Sequence, residues 1–202
     1  MIALKLERVL AEKGIHYAWF MAFISFFLLI FSSSAASTPA VLMLPIIKAF
    51  GWSITDISAI IGALFIIVAV AAPFGTAFML RLGLTKIVVT SCASLIAGLG
   101  LTAFAFKKWH LFFSMGTLLG LASGILGLGF PATVATRWFA EKRGLVIGIL
   151  AASWAAGQIM LVPFIAWIVS NFDWQYGVIP GVTGAGVCLL LFVFWEELAI
   201  KS

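Results

Sequence analysis

Long apolar runs separated by short polar breaks organise this chain from end to end. The opening residues 1–16 mix both kinds: Lys5, Glu7, Arg8, Glu12 and Lys13 alternate with apolar positions, a pattern that predicts a short amphipathic helix at a membrane surface. Beyond it, each apolar run approaches or exceeds the roughly 20 residues that a helix needs to cross the hydrocarbon core of a bilayer. The pattern predicts six such spans, at about 17–47, 54–80, 87–106, 111–136, 144–169 and 178–195. The expected organisation is therefore an interfacial segment 1–16, a six-helix transmembrane bundle 17–198 and a short tail 199–202, an all-α membrane fold.

The breaks carry their own signals. Gly51 marks a turn, and Ser53-Ile-Thr-Asp56 reads as a capping box, in which the serine oxygen accepts a backbone N–H and the acid three residues on reaches back. Lys107, Lys108, Trp109 and His110 form an interfacial turn, Arg137 to Arg143 a charged loop, and Asn171 to Gly177 another turn. Glu196, Glu197 and Lys201 close the chain. A charged start followed by an apolar run and the small residues of 32–37 resembles a signal peptide. The apolar pattern resumes at once in Ala40–Ile47, however, so one long helix softened by Ser32, Ser33, Ser34, Pro39 and Pro45 fits better.

Composition agrees with the pattern. The chain is 64% hydrophobic and 9% charged, with a mean hydropathy of +1.22. Soluble domains are about half apolar and about a quarter charged, so lipid must be the solvent for most of this one. The net charge of +5 sits between the spans, which points to topology and anionic headgroups and not to nucleic acid. With the N-terminus placed inside, Lys5, Arg8, Lys13, Arg81, Lys86, Arg137, Lys142, Arg143 and Lys201 fall on the inner side, and Lys48, Lys107 and Lys108 on the outer. Nine against three is a positive-inside bias that predicts two cytoplasmic termini. Trp52, Trp109, Trp138, Trp174 and Trp195 lie near the expected interfaces.

Candidate chemistry is sparse. Cys92 and Cys188 each sit alone in an apolar span, and His16 and His110 have no ligand partner at a suitable spacing, so neither a metal nor another cofactor is expected. In span 4, Gly116, Gly120 and Gly124 recur at every fourth position and so share one helix face; in span 5, Gly148, Ala152 and Ala156 do the same after Gly144. Such stripes let helix backbones approach closely, either as fixed packing or as seams along which helices rock. Trp154 and Gln158 project from another face of span 5, about 200° away at ~100° per residue. A glutamine in lipid is costly, so Gln158 is expected to face protein or a water-filled path. Ser25 and Ser32 share a face of span 1, and Ser33, Ser34 and Thr38 lie close by; they either line a polar path or bond their own helix carbonyls. No Asp, Glu, Lys or Arg falls deep inside a span, so no proton-coupling carboxylate is evident.

Several of these residues carry a family resemblance. Trp138-Phe139, Lys142-Arg143-Gly144-Leu145, Gly148 and Gly157 resemble the run between helices 4 and 5 in the monocarboxylate and oxalate–formate antiporter branches of the major facilitator superfamily. Phe50-Gly51-Trp52-Ser53 resembles the approach to helix 2 in the same branches. Gly75, Arg81, Gly83 and Lys86 stand where the superfamily carries its loop 2–3 motif, with Leu80 in place of the acid and Thr85 in place of one base. In the superfamily that acid helps latch cytoplasmic helix ends, which a leucine cannot do.

The resemblance covers essentially the whole chain. It implies a half-bundle of two inverted three-helix repeats, the N-terminal half of a twelve-helix secondary transporter in the plasma (cytoplasmic) membrane. It also implies a small organic anion as substrate, such as a mono- or dicarboxylate, moved by symport or antiport along a path lined by helices 1, 2, 4 and 5. The expected partners are the bilayer, the substrate and a second six-helix half, either a C-terminal bundle or a second copy, whose charged groups grip the carboxylate. No covalent chemistry is expected. A rhomboid-type intramembrane protease also has six spans, and Leu121-Ala-Ser123-Gly124 approaches its nucleophile motif, but no histidine follows His110 to serve as base. A six-helix water channel would need paired Asn-Pro-Ala half-helices, and the sole asparagine, Asn171, is not followed by proline. A non-transporting membrane subunit is the remaining alternative.

Overall fold

A computed structural model describes residues 17–139 and 142–200; the interfacial segment with Lys5, Arg8 and Lys13, and Lys201 at the other end, lie outside the described residues. Among the described residues six helices are long and apolar enough to cross a membrane. They are α1 (Tyr17–Phe50), α2 (Ile54–Leu82), α3 (Leu84–Ala103), α4 (Lys108–Trp138), α5 (Arg143–Asn171) and α6 (Ile179–Ile200), the last preceded by a 3-10 turn, Trp174–Val178.

The helix ends follow local chemistry. Gly51 takes a φ of +65° and Gly83 a φ of +95°, conformations that glycine adopts without Cβ strain. Gly83 alone joins α2 to α3, so α3 begins at Leu84, three residues before the hydropathy pattern places it. At its other end α3 stops at Ala103 and Phe104–Phe106 lie in the following turn, where the Ala105 N–H donates to the Thr102 carbonyl at 3.1 Å. The Ser53 oxygen accepts the Asp56 N–H at 3.1 Å and caps α2. The carboxylate of Asp56 accepts from the Ser53 hydroxyl at 2.8 Å and pairs with Lys108 at 2.6 Å, which sets the first turns of α2 and α4 side by side.

Inside α1, Pro39 lacks the N–H that would bond the Ala35 carbonyl, and Ser37 and Thr38 fold their hydroxyls back onto the Ser33 and Ser34 carbonyls at 3.0 and 2.9 Å. The glycine-rich α4 is wound as a wider π-helix over Phe112–Leu119 and Ile125–Gly129.

Packing follows a pseudo-two-fold pattern. α1 packs on α5, α2 on α4 and α3 on α6, with α1–α6 and α3–α4 contacts completing the bundle. Exchanging the first three helices for the last three turns the α1–α5 pair into the α4–α2 pair and returns α3–α6 to itself. Two three-helix repeats thus build one core, in which Leu28, Leu42, Leu64, Leu95, Leu99, Met115 and Phe130 are fully buried. Hydroxyls link α3 to α4: half-buried Ser94 donates to the Leu118 carbonyl at 3.0 Å, and buried Thr102 and Ser114 meet at 3.0 Å.

Candidate functional site

Where α1, α2, α4 and α5 converge they enclose an open cavity of about 540 Å³. α1 contributes Ala36, Ser37, Pro39 and Ala40; α2 contributes Ile61, Leu64, Phe65 and Val68. Ser123 and Gly127 come from α4, and Ala151, Trp154 and Gln158 from α5. No side chain in this lining carries a charge. Trp154 and Gln158 reach the cavity because they stand one turn apart on the same face of α5. The indole lies over Gly127: a Cβ there would stand 3.2 Å from its ring, tighter than ordinary van der Waals contact.

The hydroxyls of α1 divide between two surroundings. Ser32, Ser33, Ser34 and Thr38 are all buried in the helix contacts, and none lines the cavity. Ser33 donates to the Ile30 carbonyl at 2.9 Å and Thr38 to the Ser34 carbonyl; the hydroxyls of Ser25, Ser32 and Ser34 have no hydrogen-bond partner. The α1 hydroxyl that reaches the cavity is Ser37, next to Thr38 in sequence. Spacing alone did not single it out, because residues 32–38 offer a hydroxyl in nearly every direction around the helix. Ser123 was also missed as a lining residue. Its side chain is almost fully buried, its oxygen has no hydrogen-bond partner, and it borders the cavity.

The small-residue stripes separate in the same way. A Cβ at Gly120 would lie 3.1 Å from the Leu64 carbonyl, and one at Gly124 would lie 2.6 Å from the Val68 carbonyl, so α2 and α4 touch backbone to backbone there. Gly116 is looser, with the Ile60 carbonyl 3.8 Å away. On α5 the seam falls elsewhere than on Gly148, Ala152 and Ala156. Gly148 and Ala152 are exposed, Ala156 is half-buried, and nothing lies within 4 Å of a Cβ at Gly148. The buried residues of α5 are one position on, Ser153 and Gly157, in line with Val146 and Leu150, and α1 is met at Gly157, where a Cβ would overlap the Ser33 hydroxyl and the Ile30 carbonyl.

The loop residues gather at one end of the bundle. Gly75 packs inside α2 against Ile125 of α4, where a Cβ would stand 2.9 Å from the Ile125 Cα. Arg81, Lys86, Arg137, Lys142, Arg143 and Gly144 are exposed around the α2–α3 and α4–α5 connections, and Leu80 is 74% exposed. The Arg137 guanidinium sits 5.1 Å from the centre of the Trp138 ring. Arg143 donates from Nε to the Phe139 carbonyl at 2.7 Å, and Phe139 is buried against Trp19 with ring centres 5.4 Å apart. Among the described residues no group of three or more His, Cys, Asp or Glu could hold a metal ion.

This arrangement is an uncharged, mostly apolar cavity between four helices of a six-helix bundle built from two repeats. A sequence profile of the Major Facilitator Superfamily matches residues 20–199. The chain belongs to the Major Facilitator Superfamily. It is similar to Monocarboxylate transporter 11 of Mus musculus, at 27% identity over 105 residues, 52% of this chain and 23% of that protein. Monocarboxylate transporter 9 of Pongo abelii is 29% identical over 156 residues, 73% of this chain and 30% of that protein. Monocarboxylate transporter 14 of Homo sapiens is 25% identical over 178 residues, 86% of this chain and 34% of that protein. The matches span between about a quarter and a third of the length of these curated relatives. Within the superfamily the six helices form an N-terminal half-bundle of two inverted three-helix repeats, and the family points to transport rather than to catalysis.

Proposed function

We propose that this chain is the N-terminal half of a secondary transporter that moves a small organic anion, a mono- or dicarboxylate, by alternating access. The observation that carries this reading is the open, uncharged cavity shared by α1, α2, α4 and α5. Its lining has hydroxyls, an amide and an indole but no charge, so the cation that grips the carboxylate belongs to the partner bundle, either a C-terminal half or a second copy. Relatives named as monocarboxylate transporters support the substrate class. In the proposed orientation both termini are cytoplasmic and the chain lies in the plasma membrane, with Arg81, Lys86, Arg137, Lys142 and Arg143 facing inward. The hydroxyls of Ser37 and Ser123 and the Trp154 and Gln158 side chains border the path, while Arg143 and its neighbours steady the α4–α5 connection during rocking.

The test is uptake of labelled mono- and dicarboxylates into proteoliposomes, with the chain alone and with the chain joined to a second six-helix bundle. Saturable uptake above protein-free vesicles in either form supports the reading. Its absence in both refutes it.

A further inference from the structure

The cavity is large and nearly apolar for a site that would hold only a compact acid. At about 540 Å³ it falls within the roughly 300–1,000 Å³ of pockets that hold drug-sized ligands, and a three-carbon acid would fill a small part of it. Its walls are aromatic and aliphatic, with Trp154, Phe65 and Val68 prominent. The Trp154 ring is half-buried and held over Gly127, so one aromatic surface is fixed in place beside the cavity. The polar groups are few and of a particular kind. Ser37 already donates its proton to the Ser33 carbonyl and offers lone pairs only. The Ser123 hydroxyl has no partner but is buried, so the polar group open to a ligand is the exposed Gln158 amide, which can both donate and accept. A carboxylate placed here would lose its water without meeting a countercharge, which is costly in a low-dielectric site. A flat ring with a neutral hydrogen-bonding substituent avoids the desolvation of a charge, since the ring can stack on Trp154 and the substituent can bond the Gln158 amide.

We propose that this cavity seats the aromatic or bulky apolar end of the cargo: it binds an aryl group bearing a neutral donor or acceptor, and leaves the carboxylate to groups outside this chain. The proposal deepens the transport reading and rests on it for its biological meaning, but binding to the cavity is measurable without transport. The probes are radiolabelled indole-3-ethanol, which has a ring and a hydroxyl but no charge, and indole-3-acetate, 3-methylindole and acetate as competitors. Binding is measured to the purified chain in nanodiscs, with protein-free nanodiscs subtracted.

The expected result is saturable binding of indole-3-ethanol, competition by indole-3-acetate at similar concentrations, and no competition by acetate at a hundredfold excess. Trp154→Ala should weaken binding at least tenfold. Gln158→Leu, at an exposed position that leaves folding intact, should weaken indole-3-ethanol severalfold and spare 3-methylindole. Trp154→Phe, which keeps a ring, should retain part of the affinity and guards against a loss caused by misfolding. Acetate competing as well as the indoles would overturn the proposal, and so would wild-type affinity in Trp154→Ala and Gln158→Leu. Carboxylate uptake without indole binding would sink this proposal and leave the transport reading standing; indole binding with no uptake would do the reverse.

Discussion

Placing one methyl group at two glycines of α5 should give opposite results. At Gly157 an added Cβ would stand 2.8 Å from the Ile30 Cα, where ordinary contact begins near 3.4 Å, and it would also overlap the Ile30 carbonyl and the Ser33 hydroxyl. Two of those three obstacles are backbone, so no side-chain rotation relieves them. α1 and α5 would have to part by at least about 0.6 Å, and protein interiors are packed too densely to absorb that freely. Overpacking of that kind costs about 1–3 kcal/mol, and the better helix propensity of alanine returns up to about 1 kcal/mol. The net range is about 0–3 kcal/mol, and because two of the obstacles are backbone the expectation for Gly157→Ala is a loss in its upper part, about 1–3 kcal/mol. At Gly148, nothing lies within 4 Å of the new atom, so only the propensity gain remains, and Gly148→Ala should be neutral or stabilising by up to about 1 kcal/mol. Reversible unfolding of the purified chain in mixed micelles, followed by circular dichroism, measures both. If Gly157→Ala proves as stable as wild type, or if both variants shift alike, the close α1–α5 approach at Gly157 is wrong.

Other expectations follow from single contacts. The Asp56–Lys108 pair is half-exposed, so Asp56→Asn, Lys108→Met and the double variant should each leave the unfolding midpoint nearly unchanged, and a double-mutant cycle should show little coupling. A larger coupling would mean that the pair is shielded from water. Arg143→Ala removes the Nε–H bond to the Phe139 carbonyl from an exposed side chain, so it should lower uptake more than it lowers the unfolding midpoint. Unchanged uptake and unchanged topology, read from reporter tags on the loops, would contradict that. Cys92 and Cys188 are buried, so a bulky maleimide should leave the native chain unlabelled and add two adducts after denaturation, a difference visible as a gel shift. Labelling of the native chain would contradict the α3–α6 packing.

Much of this architecture is legible in the amino-acid order, and the failures share one cause. Span length and hydropathy place the helices because lipid demands a full apolar turn count for each crossing. Turn chemistry does nearly as well: Ser53 caps α2, and Gly83 takes the positive φ that lets α3 start at once. The choice of which face of a helix meets protein is another matter. In a soluble helix the polar face reveals the buried one, but in a bilayer both sides are apolar and that contrast disappears. On α5 the stripe Gly148, Ala152, Ala156 and the stripe through Ser153 and Gly157 have the same spacing and differ by one residue, about 100° of rotation. Only the fit against Ile30 and Ser33 decides for the second. Likewise Ser37, and not Ser32, Ser33, Ser34 or Thr38, is the α1 hydroxyl residue that lines the cavity. The π-wound turns of α4 shift the phase further, and nothing in a regular four-residue glycine repeat announces them. Trp154 and Gln158 stood out because a polar amide and an indole one turn apart are rare in an otherwise aliphatic helix, and they do reach the cavity together.

The most direct test of the transport reading is chemical block of the cavity itself. With Gln158→Cys in the transporting assembly, a methanethiosulfonate reagent would attach a bulky group at the cavity wall, while buried Cys92 and Cys188 stay inert. The account predicts that modification abolishes carboxylate uptake into proteoliposomes and that bound substrate slows the modification. Full modification of Gln158→Cys with uptake unchanged would contradict it.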